Sequence, residues 1–397
     1  MAKSEQKASL TIKRHGRGKG GHRTWFRGEH TNFNPDVARL SKPDAMNDFV
    51  LKGWRPEAPL IDRDTCITAF GSCFAENISK WLHTRNFNVL NKADAQSSAY
   101  VVRMGEGMVN SFVIRQQFEW AWENKVFEEP LWHGYDAEEF GYDEAVRLET
   151  KAIFDTTDVF VLTFGLSEVW YDEPTGNVFW RTVPQDRYDP ARHKFRVSTV
   201  EENHANIMAI HALIRKHRPD AKTIITLSPI PLIATFRDAA CLTANSVSKA
   251  TLRVAIDQAL ADAGPEGALY YWPSYELVTD VFHLPYKPDR RHIREEVIQY
   301  ILKLFEVTWC SDSQIGEDEL LESFVTAQVA ARSLPDDLEI VLAKRKPWRL
   351  KEFLDSHPFH PDPEVAAAHR ETLRRLLAAW RKERDLREVA EGKAGAA

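Results

Sequence analysis

Cysteine is scarce in this chain and never clustered: Cys66, Cys73, Cys241 and Cys310 stand far apart in 397 residues, with no C-x-x-C pair. That spacing excludes a disulfide framework and fits a reducing compartment. Long apolar runs are missing too. The longest, Val159 to Leu166, falls far short of the roughly 18 residues a membrane span needs, and no apolar segment follows the N-terminal charges as in a secretory leader. A soluble, cytoplasmic chain is the expectation. Lys and Arg number 52 against 58 Asp and Glu, a net charge of -6, which argues against nucleic acid as the main partner. There is no G-x-x-x-x-G-K-[ST] and no G-x-G-x-x-G after a strand, so a nucleotide phosphate cradle has no support. His204, His211 and His217 share a helical segment, but their spacing puts neighbours roughly 9–10 Å apart along the axis, too far to share one metal. His357 and His360 have no further ligands nearby in sequence. No metal and no required cofactor are expected.

What is present reads as a globular protein. With 43% hydrophobic residues the chain can bury a sizeable core, and its length suggests about two to three domains. Residues 1–60 read as a basic, largely irregular arm, with Lys13, Arg14, Arg17, Lys19 and Arg23 interleaved with glycines. That composition buries too little apolar surface to fold alone, so the arm is either a solvated tail or a contact for RNA or an anionic surface. Residues 61–308 alternate short apolar runs with helical periodicity. Strands are expected at Cys66–Phe70, Val159–Phe164, Thr223–Leu227 and Leu269–Trp272. Helices are expected at Ala75–Arg85, Phe112–Glu123, Val200–Lys216, Ser248–Ala261 and from about Arg290 to Phe305. Continuous apolar strands between helices imply a mainly parallel sheet covered on both faces, a three-layer α/β domain. Residues 309–397 read as a charged helical extension. Leu373, Leu376, Leu377 and Trp380 form a stripe there, suited to packing on the main domain or to an oligomer contact.

Ligands of open parallel sheets bind beyond the carboxyl ends of the strands, and four such ends are chemically loaded here. They carry Gly71-Ser72-Cys73, Gly165-Leu166-Ser167-Glu168, Ser228 to Leu232, and the stretch ending Asp289-Arg290-Arg291-His292. Cys73 at a helix start would meet unsatisfied N–H groups and the positive end of the dipole, both favouring thiolate. Glu76 in the same turn would work against it if it pointed at the sulfur. Ser72 is equally suited to N-capping or to nucleophilic attack. Asp289, just after Pro288, is placed to cap the last helix and to meet His292 three residues on.

The motifs "GSCFAENI", "TFGLSEVW", "TLSPIPL", "YWPSYE" and "DRRH", in that order, resemble the GSCFA domain family, a relative of the GDSL-type (SGNH) esterases and acyltransferases. The resemblance covers about residues 60 to 307. It implies a flavodoxin-like αβα sandwich and a hydrolase-type site. Laid on the Gly-Asp-Ser block of those relatives, "GSC" puts Cys73 at the nucleophile, with Ser72 as the alternative. The D-x-x-H block implies His292 as general base, oriented by Asp289, with His283 the next base in reserve. The relatives' Gly-x-Asn-Asp oxyanion block reads Gly165-Leu166-Ser167-Glu168 here. The Asn donor is thus replaced by Ser167, with Gly107 in "RMGEGMVNSF" and the Gly165 turn as further oxyanion or substrate contacts.

These readings give an expected acyl-transfer enzyme, an acyltransferase or esterase. It would act on a small-molecule or glycan ester through a covalent acyl-enzyme, with acyl-CoA a suitable donor. A binding or scaffold protein that kept the fold and lost the chemistry is the alternative. Trp120, Trp122, Trp132, Trp170 and Trp180 lie in or near segments expected to border the site, where aromatic faces suit sugar rings as well as core packing. Trp132 to Tyr142 and Trp180 to Phe195 are the expected lid segments.

Overall fold

The computed structural model describes residues 30–94 and 96–394, with the two-residue strands Thr11–Ile12 and Gly20–Gly21. The basic residues Lys13, Arg14, Arg17, Lys19 and Arg23 lie outside the described residues. The chain is a mixed α/β protein whose main sheet is parallel: β1 (Ile67–Phe70), β2 (Val159–Phe164), β5 (Lys222–Leu227) and β6 (Leu269–Trp272), in the order β1-β2-β5-β6. A single bridge, Ile67 to Val89, adds a further parallel edge beside β1. All six residues of β2 are buried. Phe160, Leu162 and Phe164 enter one core, while Val159 and Val161 enter the other. Both faces of the strand are therefore apolar, and its sequence is a continuous run rather than an alternation.

Helices cover both faces. On the first lie α2 (Ser111–Glu123), α3 (Glu144–Thr156), α4 (Val200–His217) and α5 (Cys241–Ala263). On the second lie α1 (Cys73–Thr84), α6 (Ser274–Val281) and α7 (Glu295–Trp309). Side-chain caps fix several starts. Asn110 accepts the Val113 N–H at 3.0 Å, and Thr199 with Glu202 forms a full capping box at α4. α3 has no counterpart among the expected helices. Five of its 13 residues are charged and it buries only Thr150 and Phe154, so its apolar stripe is thin. Also unexpected is the antiparallel pair β3 (Glu168–Asp172) and β4 (His193–Val197), whose long connection carries none of the signals of a tight hairpin. α5 begins seven residues before the expected Ser248, and its first turns expose Leu242 and Val247, which breaks the periodicity used to find it.

The last helix of the domain requires a correction. It starts at Glu295, not near Arg290. Tyr286 bridges Ile293, the Lys287 N–H donates to the His292 carbonyl at 2.7 Å, and Arg290 sits at φ 57°. A left-handed residue cannot begin an α-helix, so Asp289 to His292 form a tight turn ahead of it.

Residues 30–60, expected as part of an irregular arm, include two short helices, Val37–Leu40 and Ala45–Phe49. Ala45, Met46 and Leu51 are buried against the second face. The segment before β1 and the segment after α7 meet in this layer. The Thr372 hydroxyl donates to the Ser41 carbonyl at 2.7 Å, Arg375 pairs with Asp44 at 2.8 Å, and Ile61 bridges Cys310. After residue 309 the chain is helical: α8 (Glu317–Ala330), α9 (Leu338–Lys344), α10 (Pro347–Ser356) and α11 (Pro363–Ala394). Leu373, Leu376, Leu377 and Trp380 are buried with Val325, Val329, Leu350, Phe353 and Leu354 of this chain, so the stripe, expected to pack on the main domain or to offer an oligomer contact, is covered by the helices of the extension itself. Among the described residues no helix is long and apolar enough to cross a membrane.

Trp380 is 3% exposed, and Trp380→Ala should lower unfolding stability by about 3 kcal/mol. Urea denaturation measures the loss, and light scattering should give the wild-type mass. A changed mass would instead place the stripe in a subunit contact.

Candidate active site

The carboxyl ends of the strands form one edge, and β1 is where the crossovers change face: α1 leaves to the second, while α2 and α3 return over the first. A crevice between the ends of β1 and β2 follows from that reversal. At the end of β1, Gly71 has φ 132°, and a Cβ there would lie 2.2 Å from the Thr163 carbonyl oxygen of β2. Only glycine allows this approach. Its N–H donates to the Gly105 carbonyl at 2.7 Å, which draws the short 3-10 turn Gly105–Gly107 beside the joint. Ser72 is the N-cap of α1, 3% exposed, and its Oγ accepts the Phe74 N–H at 3.2 Å. Cys73, the first helical residue, is partly exposed. The two nucleophile candidates thus have different surroundings: a buried capping hydroxyl and a partly exposed thiol at a helix N-terminus. Glu76 is engaged by Lys92 at 2.7 Å and Lys80 at 3.2 Å, which neutralises the carboxylate that would oppose a thiolate.

Lys249 is the site residue absent from the sequence reading. Its ammonium is fully enclosed and donates to three carbonyls: Gly165 at 2.7 Å, Ser228 at 2.8 Å and Ile230 at 2.7 Å. Those three bonds use every proton an ammonium has and join the chain after β2 to the chain after β5. Burial pulls the Lys249 pKa down to about 7; Cys73 raises it and Arg291 lowers it further. The three carbonyls favour the charged form. Cys73 and Arg291 are thus within electrostatic reach of Lys249, and Arg291 donates to the same Ser228–Leu232 loop that Lys249 holds. Its neighbour Ser248 accepts the Ser167 N–H at 2.8 Å. A signal did exist in the sequence, since Lys249 falls in one helical stripe with the buried Leu252 and Ile256, where an apolar residue belongs.

Asp289 and His292 do meet. Asp289 Oδ1 accepts the N–H groups of Arg291 at 3.0 Å and His292 at 3.1 Å, and Oδ2 pairs with His292 Nδ1. Led by the His292 bond, these interactions hold the Asp289 carboxyl down at about 2. A lowered folded pKa means that the pairing is present above the ordinary carboxylate value and is lost only as pH falls through about 2. Both side chains are exposed. The turn is fixed to the Ser228–Leu232 loop: Arg291 Nε donates to the Pro231 carbonyl at 3.3 Å, and the Tyr286 hydroxyl to the Pro229 carbonyl at 2.8 Å. His283 is exposed and donates its backbone N–H to Ser333 Oγ at 3.3 Å.

The expected backbone oxyanion donors are engaged elsewhere. Gly165 N–H donates to the Val109 carbonyl at 2.6 Å, and Gly107 N–H to the Met104 carbonyl at 2.8 Å, so neither is open to a substrate in this conformation. The Ser167 hydroxyl has no hydrogen-bond partner but is wholly buried. Glu168 accepts the Thr235 hydroxyl on both oxygens, at 2.9 and 2.8 Å. What stands at the edge instead is positive charge from Lys249 and Arg291. Of the five tryptophans, Trp120, Trp122, Trp132 and Trp180 are buried in the first core. Trp170 is partly exposed and joins Tyr188, Phe195 and Phe236 in a surface aromatic group with centroids 5.1 to 5.8 Å away. The two expected lid segments are joined by the Trp132–Trp180 stack at 5.4 Å. Among the described residues no group of three or more His, Cys, Asp or Glu is placed to hold a metal.

Lys249→Met keeps the volume and leaves three buried carbonyls without a donor, each such loss costing about 1–3 kcal/mol. The variant should melt lower, and iodoacetamide should label its Cys73 several-fold more slowly at pH 7. An unchanged Cys73 rate in a folded Lys249→Met protein would show that the ammonium does not act on the thiol.

The GSCFA family model matches residues 66–305, more than half of the chain and all four strands of the parallel sheet. Searches of curated proteins and of solved structures returned no match. This protein belongs to the GSCFA family.

Proposed function

We propose that the protein is an acyl-transfer enzyme of the SGNH-like class, an acyltransferase or esterase that works through a Cys73 acyl-enzyme. The observation that carries this reading is the joint of β1 and α1, where a partly exposed Cys73 at a helix N-terminus lies within the field of the buried Lys249 ammonium. The sheet supports it as well. With the isolated Val89 bridge counted as a further strand beside the four, the order would read 2-1-3-4-5, as in flavodoxin-like sheets, and this supports the SGNH-type reading.

In the proposed reaction the Cys73 thiolate attacks the carbonyl carbon of an ester or thioester. A C–S bond forms, the C–O or C–S bond to the leaving group breaks, and the Cys73 proton, taken by His292, passes to the departing oxygen or sulfur. His292 then deprotonates an acceptor hydroxyl, or water, whose attack releases the acyl group and restores the thiol. Asp289, ionised throughout the working range, keeps the imidazole in position. The substrate we favour is a carbohydrate or polysaccharide-precursor ester, with acyl-CoA as a donor in the transferase form. The specific observation favouring a non-catalytic binding protein is that the Gly107 and Gly165 N–H groups are already bonded.

Two experiments separate these readings. Iodoacetamide at neutral pH should modify Cys73 ahead of Cys66 and Cys310, whose thiols are pushed up chiefly by burial, and ahead of Cys241; equal labelling of all four contradicts the reading. His292→Gln should lower turnover of acyl-CoA or an acetylated sugar about 10²-fold with little change in melting temperature, because the side chain is exposed. Full activity in Cys73→Ala would end the proposal.

A further inference from the structure

Arg181 lies outside every role assigned above, and its surroundings are unlike those of the other arginines in its segment. Arg187 pairs with Glu139 at 2.5 Å, Arg192 with Asp172 at 2.6 Å, and Arg196 with Glu202 at 2.7 Å. Among the described residues no carboxylate pairs with Arg181, and its Nε and Nη2 are buried without a hydrogen-bond partner. Arg181 is partly buried, and two enclosed N–H-bearing nitrogens without a partner are costly, so the fold must hold the guanidinium in place. It does so from both sides. The preceding Trp180 is 1% exposed and stacked on Trp132, which fixes the backbone. The guanidinium carbon lies 3.6 Å from the centroid of the Tyr135 ring. Beyond it, Nη2 occupies the space of an absent side chain, since a Cβ on Gly107 would be 2.3 Å from that nitrogen.

Position gives this group its meaning. Gly107 ends the 3-10 turn whose Gly105 carbonyl accepts the Gly71 N–H, and Gly71 leads directly into Ser72 and Cys73. The guanidinium is therefore one short turn from the nucleophile joint. The other charges named at this edge have the same sign or are already engaged: Lys249 is saturated by carbonyls, Arg291 donates to Pro231, Asp289 is paired with His292, Glu76 with Lys92 and Lys80, and Glu168 accepts the Thr235 hydroxyl. In a protein of net charge -6, this edge is a local region of positive potential.

We propose that Arg181 is the seat of a permanent anion, a carboxylate or phosphate carried by the substrate, so that the ester or thioester turned over at Cys73 is an acidic one. The proposal rests on the acyl-transfer reading and names the substrate class for it. A planar fork of N–H donors matches a carboxylate or phosphate through two parallel bonds. A resident anion pairs the two unpartnered nitrogens as soon as substrate is bound, whereas an oxyanion that exists only in the transition state would leave them unpaired in the bound substrate complex.

The test compares alkylation of full-length protein by iodoacetate and iodoacetamide, which carry the same leaving group and differ in charge. Cys241, also partly exposed, serves as the internal reference. The ratio of iodoacetate to iodoacetamide rates should be at least about tenfold higher at Cys73 than at Cys241, and Arg181→Gln should bring it to the Cys241 value. Inorganic phosphate and malonate should each slow iodoacetate at Cys73 without slowing iodoacetamide. Stronger protection by phosphate assigns a phosphate-bearing substrate, and stronger protection by malonate a carboxylate-bearing one. Protection needs no variant, so it decides the matter even if Arg181→Gln fails to fold. Equal rate ratios at the two cysteines, or no protection by either anion, overturn the seat while leaving a reactive Cys73 intact. If Cys73 is inert to both reagents, the acyl-transfer reading fails on its own. The seat is then judged by melting temperature: phosphate or malonate should raise it in wild type and not in Arg181→Gln, and an equal rise in both overturns it.

Discussion

A single ammonium ties together the carboxyl edge of the sheet. Parallel strands end in carbonyls that lose their ladder partners where the chain turns away, and here three of them, Gly165, Ser228 and Ile230, are gathered by Lys249. Water cannot substitute in a fully enclosed position, so the alternative to these bonds is a set of unsatisfied buried acceptors. The same helix turn supplies Ser248 to the Ser167 N–H. Fixing Ser228 and Ile230 fixes the loop between them, and on that loop Tyr286 and Arg291 seat the Asp289–His292 turn. The placement of His292 relative to the end of β2 thus runs through Lys249. Its charge reaches in the other direction to Cys73, so one residue is both a structural tie and a source of field.

How much of this could be read from the sequence depended on how locally each feature is determined. Val159–Phe164 was legible residue for residue because both faces of that strand are buried and every position must be apolar. The strand-to-helix joint at Ser72 and Cys73 was legible from the switch in periodicity. Their unequal surroundings were not, because either residue type fits such a turn and only the folded joint puts Ser72 Oγ on the Phe74 N–H. Asp289 and His292 were paired correctly from their spacing, yet the helix start was misplaced by the Tyr286–Ile293 bridge and the left-handed Arg290, which leave no mark in sequence. Gly107 and Gly165 carry the right residue type for an open N–H, but whether a donor is free depends on partners such as Met104 and Val109. Arg181 gave no signal at all, since it meets Gly107 and Tyr135 only through the tertiary fold.

The charge distribution joins these features. The chain is acidic overall, while the edge where β1 and β2 end is cationic. A thiol at a helix N-terminus, a buried ammonium and a guanidinium with two unpartnered nitrogens each favour negative charge nearby. Thiolate, tetrahedral intermediate and acidic substrate are the species an acyl-transfer reaction would place there, with Asp289 and His292 handling the proton outside the buried zone.

The central claim is a covalent one, and intact-protein mass spectrometry after incubation with a short acyl-CoA measures it directly. The account predicts one acyl group on the protein, mapped by proteolysis to Cys73 as a hydroxylamine-labile thioester and removed when an acceptor hydroxyl or water discharges it. Turnover without any adduct during single-turnover sampling, or an acyl group mapped to Ser72 instead, would contradict it.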